Sequence, residues 1–154
     1  MKSGKENFKS NIGWRFDNTY SALPDAMLSR LPPTPVKFPK LIILNKELSR
    51  DLDLDFSSID NDQLANMFSG NLLPKGAETI AQAYAGHQFG HFTILGDGRA
   101  IIMGEHLTKE NKRFDIQFKG SGLTPYSRNA DGRAALSPML REYIISEAIH
   151  GLNI

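Results

Sequence analysis

Lys119 is the residue in this sequence best placed to do chemistry. It ends the run Asp115-Ile116-Gln117-Phe118-Lys119 and is followed by Gly120-Ser121-Gly122. A compact ammonium on a rigid element, beside small residues, suits the grip of a phosphate oxygen. On its own such a lysine is more often a solvated edge charge, so its neighbours decide the matter. Upstream lies Leu95-Gly96-Asp97-Gly98-Arg99, where glycines leave backbone N–H groups uncovered and Arg99 offers charge-assisted hydrogen bonds. Downstream lie Thr124-Pro125-Tyr126-Ser127-Arg128 and Asp131-Gly132-Arg133, then Glu142 within an apolar-periodic stretch. A carboxylate on a mostly apolar helix surface is costly unless paired, and Lys119 is its natural partner, with Glu147 competing for the same lysine.

The elements that must position these groups follow from periodicity. Phe114, Ile116 and Phe118 alternate with polar residues, which predicts a half-buried strand over 114–119 with Lys119 on the other face. Asp97-Gly98 between apolar runs predicts a hairpin of strands 92–95 and 100–103. Residues 105–113 read as a charged connection. The long loop from 120 to 133, dense in Gly, Ser, Thr and Pro, has the content of a functional loop. Ser137 as N-cap and Pro138 at N1 predict a helix over 137–150, stopped by Gly151. Glycine turn, strand lysine and helix glutamate, in that order, is the layout of a kinase N-lobe. The Walker A pattern GxxxxGK[ST] is absent, as is GxGxxG.

The first half of the chain reads as support. Residues 1–13 are polar and expected to be loose; Trp14, Phe16 and Tyr20 predict an arm docked on the domain. The prolines of 31–39 forbid helix and predict an extended crossing over the surface. Residues 41–44 read as a buried strand, Asn45 as the cap of a short helix 46–52, and Asp60 or Asn61 as the start of a helix through Met67. Gly76-Ala77-Glu78 reads as the opening of a further helix that ends at Gly86. His87 and His91 have helical metal-ligand spacing, but the adjacent glycines argue against one helix and a third ligand is lacking, so His87 and Gln88 read as polar anchors of the turn.

Composition bounds the class. The chain has 154 residues, 40% hydrophobic and 23% charged, with net charge +1. That suits one soluble globular domain with a real core and gives no reason to expect a nucleic-acid or membrane partner. There is no cysteine, hence no disulfide or thiolate metal site, and no signal-peptide core or membrane span is evident, so the cytoplasm is the expected compartment.

Long blocks then carry a resemblance. Tyr84-Ala85-Gly86-His87-Gln88-Phe89-Gly90, Leu95-Gly96-Asp97-Gly98-Arg99-Ala100, Phe118-Lys119-Gly120-Ser121-Gly122-Leu123-Thr124-Pro125-Tyr126-Ser127-Arg128, Asp131-Gly132-Arg133-Ala134 and Arg141-Glu142-Tyr143-Ile144-Ile145-Ser146-Glu147-Ala148 resemble, in order, the N-terminal signature blocks of the SelO family. That family comprises kinase-like proteins, once classed as pseudokinases, that act as protein adenylyltransferases. The resemblance implies an α+β, protein-kinase-like N-lobe over 14–154, with an antiparallel sheet, a packed αC-like helix and an N-terminal helical or extended arm. It implies ATP bound in an orientation inverted relative to ordinary kinases, with AMP passed to a protein Ser, Thr or Tyr hydroxyl. Gly96, Gly98, Arg99, Lys119, Asp131 and Gly132 would contact the nucleotide, and Glu142 would position Lys119. Magnesium or manganese would neutralise the phosphates. The resemblance also implies that the C-lobe, with the general base and metal ligands, lies beyond this stretch, so that no catalytic or metal-binding residue is expected within it and the short chain alone would be inactive. The alternative of a different class is a non-catalytic nucleotide-binding or protein-interaction module; an ordinary phosphotransferase is a further one. The target proteins are not legible.

Overall fold

The computed structural model describes residues 12–88 and 90–154. Of the stretch 1–13 expected to be loose, residues 1–11 lie outside the described residues, while Ile12 is 3% exposed and belongs to the core. The protein is α+β, built on a five-stranded antiparallel sheet. In chain order the elements are β1 (Leu28–Arg30), α1 (Lys46–Asp51), α2 (Asn61–Phe68), β2 (Ile80–Gln88), β3 (His91–Gly96), β4 (Ala100–Leu107), β5 (Arg113–Lys119) and α3 (Leu136–Gly151), with a 3-10 turn at Tyr20–Ala22.

Strand β4 is the centre. Ile101 through His106 are all buried, so both of its faces are covered. It pairs along its length with β5, from Ala100 opposite Lys119 to Leu107 opposite Arg113, with a register slip between Ile102 and Gly104. Apolar Ile101, Ile102 and Met103 explain half of that burial. Glu105 and His106 explain the rest through pairing, since a buried polar group is tolerated when its partners are in place. The Glu105 carboxylate accepts from the Thr19 hydroxyl at 2.7 Å, the Tyr20 N–H at 2.7 Å and the Arg113 guanidinium at 3.1 Å. His106 Nδ1 accepts from the Arg15 N–H at 3.2 Å, which leaves Nε2–H to donate to the Leu52 carbonyl at 2.8 Å. The charged connection expected from residue 105 onward is therefore wrong: the strand runs on to Leu107, and its charges are internal.

Those same bonds dock the N-terminal arm. Trp14 stacks on Phe16 with ring centroids 5.3 Å apart, and both rings meet His106 edge-on. Gly104 makes room for this, because a Cβ there would press into the Phe16 ring at 2.6 Å and Asn18 Oδ1 at 2.7 Å. A second core joins Ile12, Leu54, Phe56, Ile59, Leu64 and Met67 beneath the arm.

Both short helices start where the caps place them. Asn45 accepts from the Glu47 and Leu48 N–H groups, and Asp60 with Gln63 forms a reciprocal capping box. Three expectations fail. Residues 80–88 form strand β2, not a helix; the ladders to β1 and β3 override the small apolar residues that suggested one. Residues 41–44 form no strand, and Ile42 and Ile43 are exposed, because the extended proline crossing leaves them no partner strand. The crossing is tied down at the Thr34 N–H, which donates to the Ser121 carbonyl, and at Val36, whose N–H and carbonyl both meet the Asn71 amide.

The third failure concerns the glycine turn. Strands β3 and β4 do not pair as a hairpin. Ala83 faces Gly96 and Ile80 faces Ile102, so β3 and β4 lie in line along one edge of β2. Residues 97–99 form the offset between them.

Helix α3 also departs from expectation. It begins at Leu136, its N-cap is Ala135 without a side-chain bond, and Ser137 and Pro138 fall inside the first turn. Proline is tolerated there because the first N–H groups of a helix have no intrahelical acceptor. None of its residues is buried, so the packed helix expected on the sheet is not seen; α3 meets the sheet through Glu142.

The Glu105 cluster makes a stability prediction. Glu105→Ala strands three polar partners and is expected to destabilise the protein by about 3 kcal/mol. Thr19→Ala removes one bond and is expected to lose about 1 kcal/mol. Urea unfolding followed by Trp14 fluorescence measures both.

Candidate functional site

The site is assembled by the pairing of β4 with β5. Ala100 lies opposite Lys119, and the Gly120 N–H donates to the Arg99 carbonyl at 2.6 Å. The glycine offset and the lysine are thereby held on adjacent strands. Lys119 Nζ forms an ion pair with Glu142 of α3, the partner that the spacing predicts. Both side chains are near half exposed, at 42% and 46%, so the pair tethers α3 without being a buried charge. An ion pair this open stabilises weakly; its use is to hold the ammonium in one place.

Gly96 and Gly98 do more than uncover N–H groups. The Tyr126 ring lies directly over Gly96, where a Cβ would run into it. A Cβ on Gly98 would meet the Tyr126 carbonyl oxygen at 2.8 Å. One face of the glycine offset is thus occupied by the loop 124–127, which packs on it through side chains. The Thr124 hydroxyl donates to the Asp97 carbonyl at 2.6 Å, and the Ser127 hydroxyl donates to the Gly98 carbonyl at 2.5 Å. The loop is itself a turn, with the Ser127 N–H donating to the Thr124 carbonyl at 3.1 Å and Pro125 at its second position. Thr124 and Ser127 are buried. Loop composition alone does not mark them as site residues; the Thr-Pro-Tyr-Ser turn is the signal that could.

Asp97 points inward. Its carboxylate accepts the Gln82 N–H at 2.9 Å, while its own N–H donates to the Gln82 carbonyl at 2.9 Å. The side chain thus replaces a ladder bond where β3 hands over to β4. Burial pushes its pKa above the usual carboxylate value, partly opposed by the Gln82 bond.

Asp131 and Gly132 sit against the loop after Lys119. The Gly122 N–H donates to the Gly132 carbonyl at 3.1 Å, and Ser121 pairs with Arg133 in an isolated bridge. Asp131 Oδ1 accepts the Arg133 N–H at 2.9 Å, an Asx turn. Gly132 is buried where a Cβ would collide with the Gly122 carbonyl. Between this loop, α3 and the crossing at 36–43 runs a groove of about 550 Å³, bordered by Lys119, Ser121, Arg133 and Tyr143. Arg128 donates to the Gln88 side chain, and the His87 ring packs edge-on against Phe92 at 5.2 Å. Among the described residues no group of three or more His, Asp or Glu side chains is placed to hold a metal ion. No helix there is long and apolar enough to cross a membrane.

These features define an α+β protein that sets a lysine–glutamate pair on the strand next to a glycine offset. The profile described as "Protein adenylyltransferase SelO" matches residues 11–154, and the chain belongs to the SelO family. It is 66% identical over 143 residues to a protein named protein nucleotidyltransferase YdiU from Pelagibacter ubique, covering 93% of this chain and 30% of that one. It is 64% identical over 154 residues to the protein of the same name from Nitrosococcus oceani, covering 100% of this chain and 31% of that one. The relative from Brevibacillus brevis is 61% identical over 142 residues, covering 92% and 29%. The chain spans about three-tenths of the length of these relatives.

The raised pKa of Asp97 has a definite sign. Above its ordinary value of 3.8 the unfolded chain releases this proton before the folded one does. This carboxyl therefore subtracts stability as pH rises through that window. Asp97→Asn keeps an oxygen for the Gln82 N–H and removes the charge. The variant is expected to gain stability relative to the parent as pH rises from 3.8 toward neutrality. Chemical denaturation across that range checks it; a difference independent of pH contradicts it.

Proposed function

We propose that this chain is the ATP-gripping part of a protein adenylyltransferase, in the manner of a kinase N-lobe, and that in the whole protein AMP passes from ATP to Ser, Thr or Tyr hydroxyls of other proteins. The observation that carries the reading is the Lys119–Glu142 ion pair beside the glycine offset. It is supported by family membership and by relatives named nucleotidyltransferases.

In the reaction the attacking hydroxyl oxygen forms a bond to the α-phosphorus. The bond from that phosphorus to the bridging β-phosphate oxygen breaks, pyrophosphate leaves, and the hydroxyl proton passes to a base. This chain's residues serve the leaving side. Lys119, held by Glu142, neutralises phosphate charge at a fixed point, and Arg99 adds a second cation at the offset. Arg133, which lines the same groove as Lys119, would add a further cation there. Gly96 and Gly98 keep the offset narrow, while Asp131 and Gly132 shape the loop behind Lys119. Magnesium or manganese bound with ATP would neutralise phosphate charge; among the described residues no group of three or more His, Asp or Glu side chains is placed to hold it.

ATP binding by the chain tests the reading. Lys119→Ala is expected to weaken ATP binding by at least about tenfold, in line with the loss of a charge-assisted phosphate contact. Glu142→Gln is expected to weaken it less, because the lysine stays but loses its tether. Isothermal calorimetry measures both; equal affinity in all three proteins contradicts the reading. In a protein of the relatives' length, label from α-labelled ATP should reach protein substrates and label from γ-labelled ATP should not. The reverse pattern would assign a phosphotransferase.

A further inference from the structure

The loop 124–127 fixes where two backbone donors point. A trans peptide is planar, and its C=O and N–H point in opposite directions. No peptide bond among the described residues is cis. The Asp97 carbonyl is held toward the loop by the Thr124 hydroxyl at 2.6 Å, so the Gly98 N–H, in the same peptide unit, points away from the loop. The Gly98 carbonyl is held toward the loop by the Ser127 hydroxyl at 2.5 Å, so the Arg99 N–H points away from it as well. Two successive N–H groups therefore face the same side, opposite the loop. Among the described residues neither donates a hydrogen bond. The next carbonyl along, that of Arg99, is held by the Gly120 N–H, so the third peptide of the offset is fixed too.

The hydroxyls are themselves held. The Thr124 oxygen accepts from the Tyr126 N–H at 3.1 Å, and the Ser127 oxygen accepts from the Thr124 N–H at 2.8 Å. Each oxygen accepts on one side and donates on the other, which leaves no freedom to rotate. The Tyr126 hydroxyl meets the Ser29 hydroxyl at 3.2 Å, anchoring the loop to β1. Paired backbone donors that face one way form an anion-binding concavity.

We infer that Thr124 and Ser127 are positioning residues that aim the Gly98 and Arg99 amides at a phosphate oxygen of the nucleotide. This rests on the reading of the Lys119 site as a polyphosphate site, and it adds that the grip includes two backbone donors set by hydroxyls that never touch the ligand. Removing either hydroxyl frees a peptide to rotate. It should weaken the hold on phosphate and leave the hold on the nucleoside unchanged.

The test uses inorganic tripolyphosphate, ATP and adenosine as probes, with amide NMR of the whole chain and calorimetry. In the wild-type protein tripolyphosphate should shift the Gly98 and Arg99 amide resonances. Thr124→Val, which keeps shape and loses the hydroxyl, and Ser127→Ala should each weaken tripolyphosphate and ATP by about fivefold, the effect of one neutral hydrogen bond. Thr124→Ser, which keeps the hydroxyl, should restore the parent affinity, and adenosine should bind all four proteins alike. Wild-type tripolyphosphate binding without movement of the two amides overturns the inference, even if every variant fails to fold. Unchanged affinity in Thr124→Val and Ser127→Ala overturns it too, and the phosphate reading survives if Lys119→Ala still weakens binding. If the wild-type chain binds neither tripolyphosphate nor ATP, the phosphate reading fails and the inference falls with it.

Discussion

Everything at the site depends on β4 lying between its neighbours with both faces covered. A strand in that position cannot shift by one residue without turning its buried side chains to the wrong face. Its register with β5 is therefore fixed by the core, at Ile101, Ile102 and Met103, and by the pairing of Glu105 and His106 further along. That register puts Ala100 opposite Lys119. The arm, the buried carboxylate and the Trp14–Phe16 stack are distant from the lysine along the chain, yet they set where it stands.

The two sides of the lysine are held differently. On the sheet side, the glycine offset, the loop 124–127 and the loop 131–133 interlock through backbone and hydroxyl bonds, and their glycines are packed closely enough that a methyl group would not fit. On the helix side, α3 has no buried residue and reaches the sheet's lysine through Glu142. Ile144, Ile145 and Ile149 on that helix are exposed. A rigid set of interlocked loops faced by a lightly held helix separates two tasks. On the proposed reading the loops would set the geometry of the phosphates, and the helix would set the position of one cation.

Local pattern made part of this legible. Alternation marks β5, and the order of glycine turn, strand lysine and helix glutamate marks the Lys119–Glu142 pair, although α3 is exposed and Glu142 there is not a buried charge. The caps at Asn45 and Asp60 marked two helices correctly because capping is a local interaction. What failed was settled by distant partners. Ala81, Ala83 and Ala85 favour helix by propensity, and only the ladders to β1 and β3 make them a strand. Asp97-Gly98 looks like a hairpin turn until β2 is seen to pair with both β3 and β4 on one edge. Glu105 reads as a surface charge because its partners, Thr19 and Tyr20, lie far back in the chain. Thr124 and Ser127 show their role only when the carbonyls they hold are known.

The claim at the centre is that this interlocked cradle, with Lys119, is where the nucleotide phosphates sit. Hydrogen exchange of the chain with and without ATP, resolved to single amides, tests it most directly. The account predicts slowed exchange at residues 96–99, 119–122 and 131–133, with the α1 and α2 region unchanged. Protection confined to α1 and α2, or to the strand end at Arg30, with residues 96–99 and 119–122 unaffected, would contradict it.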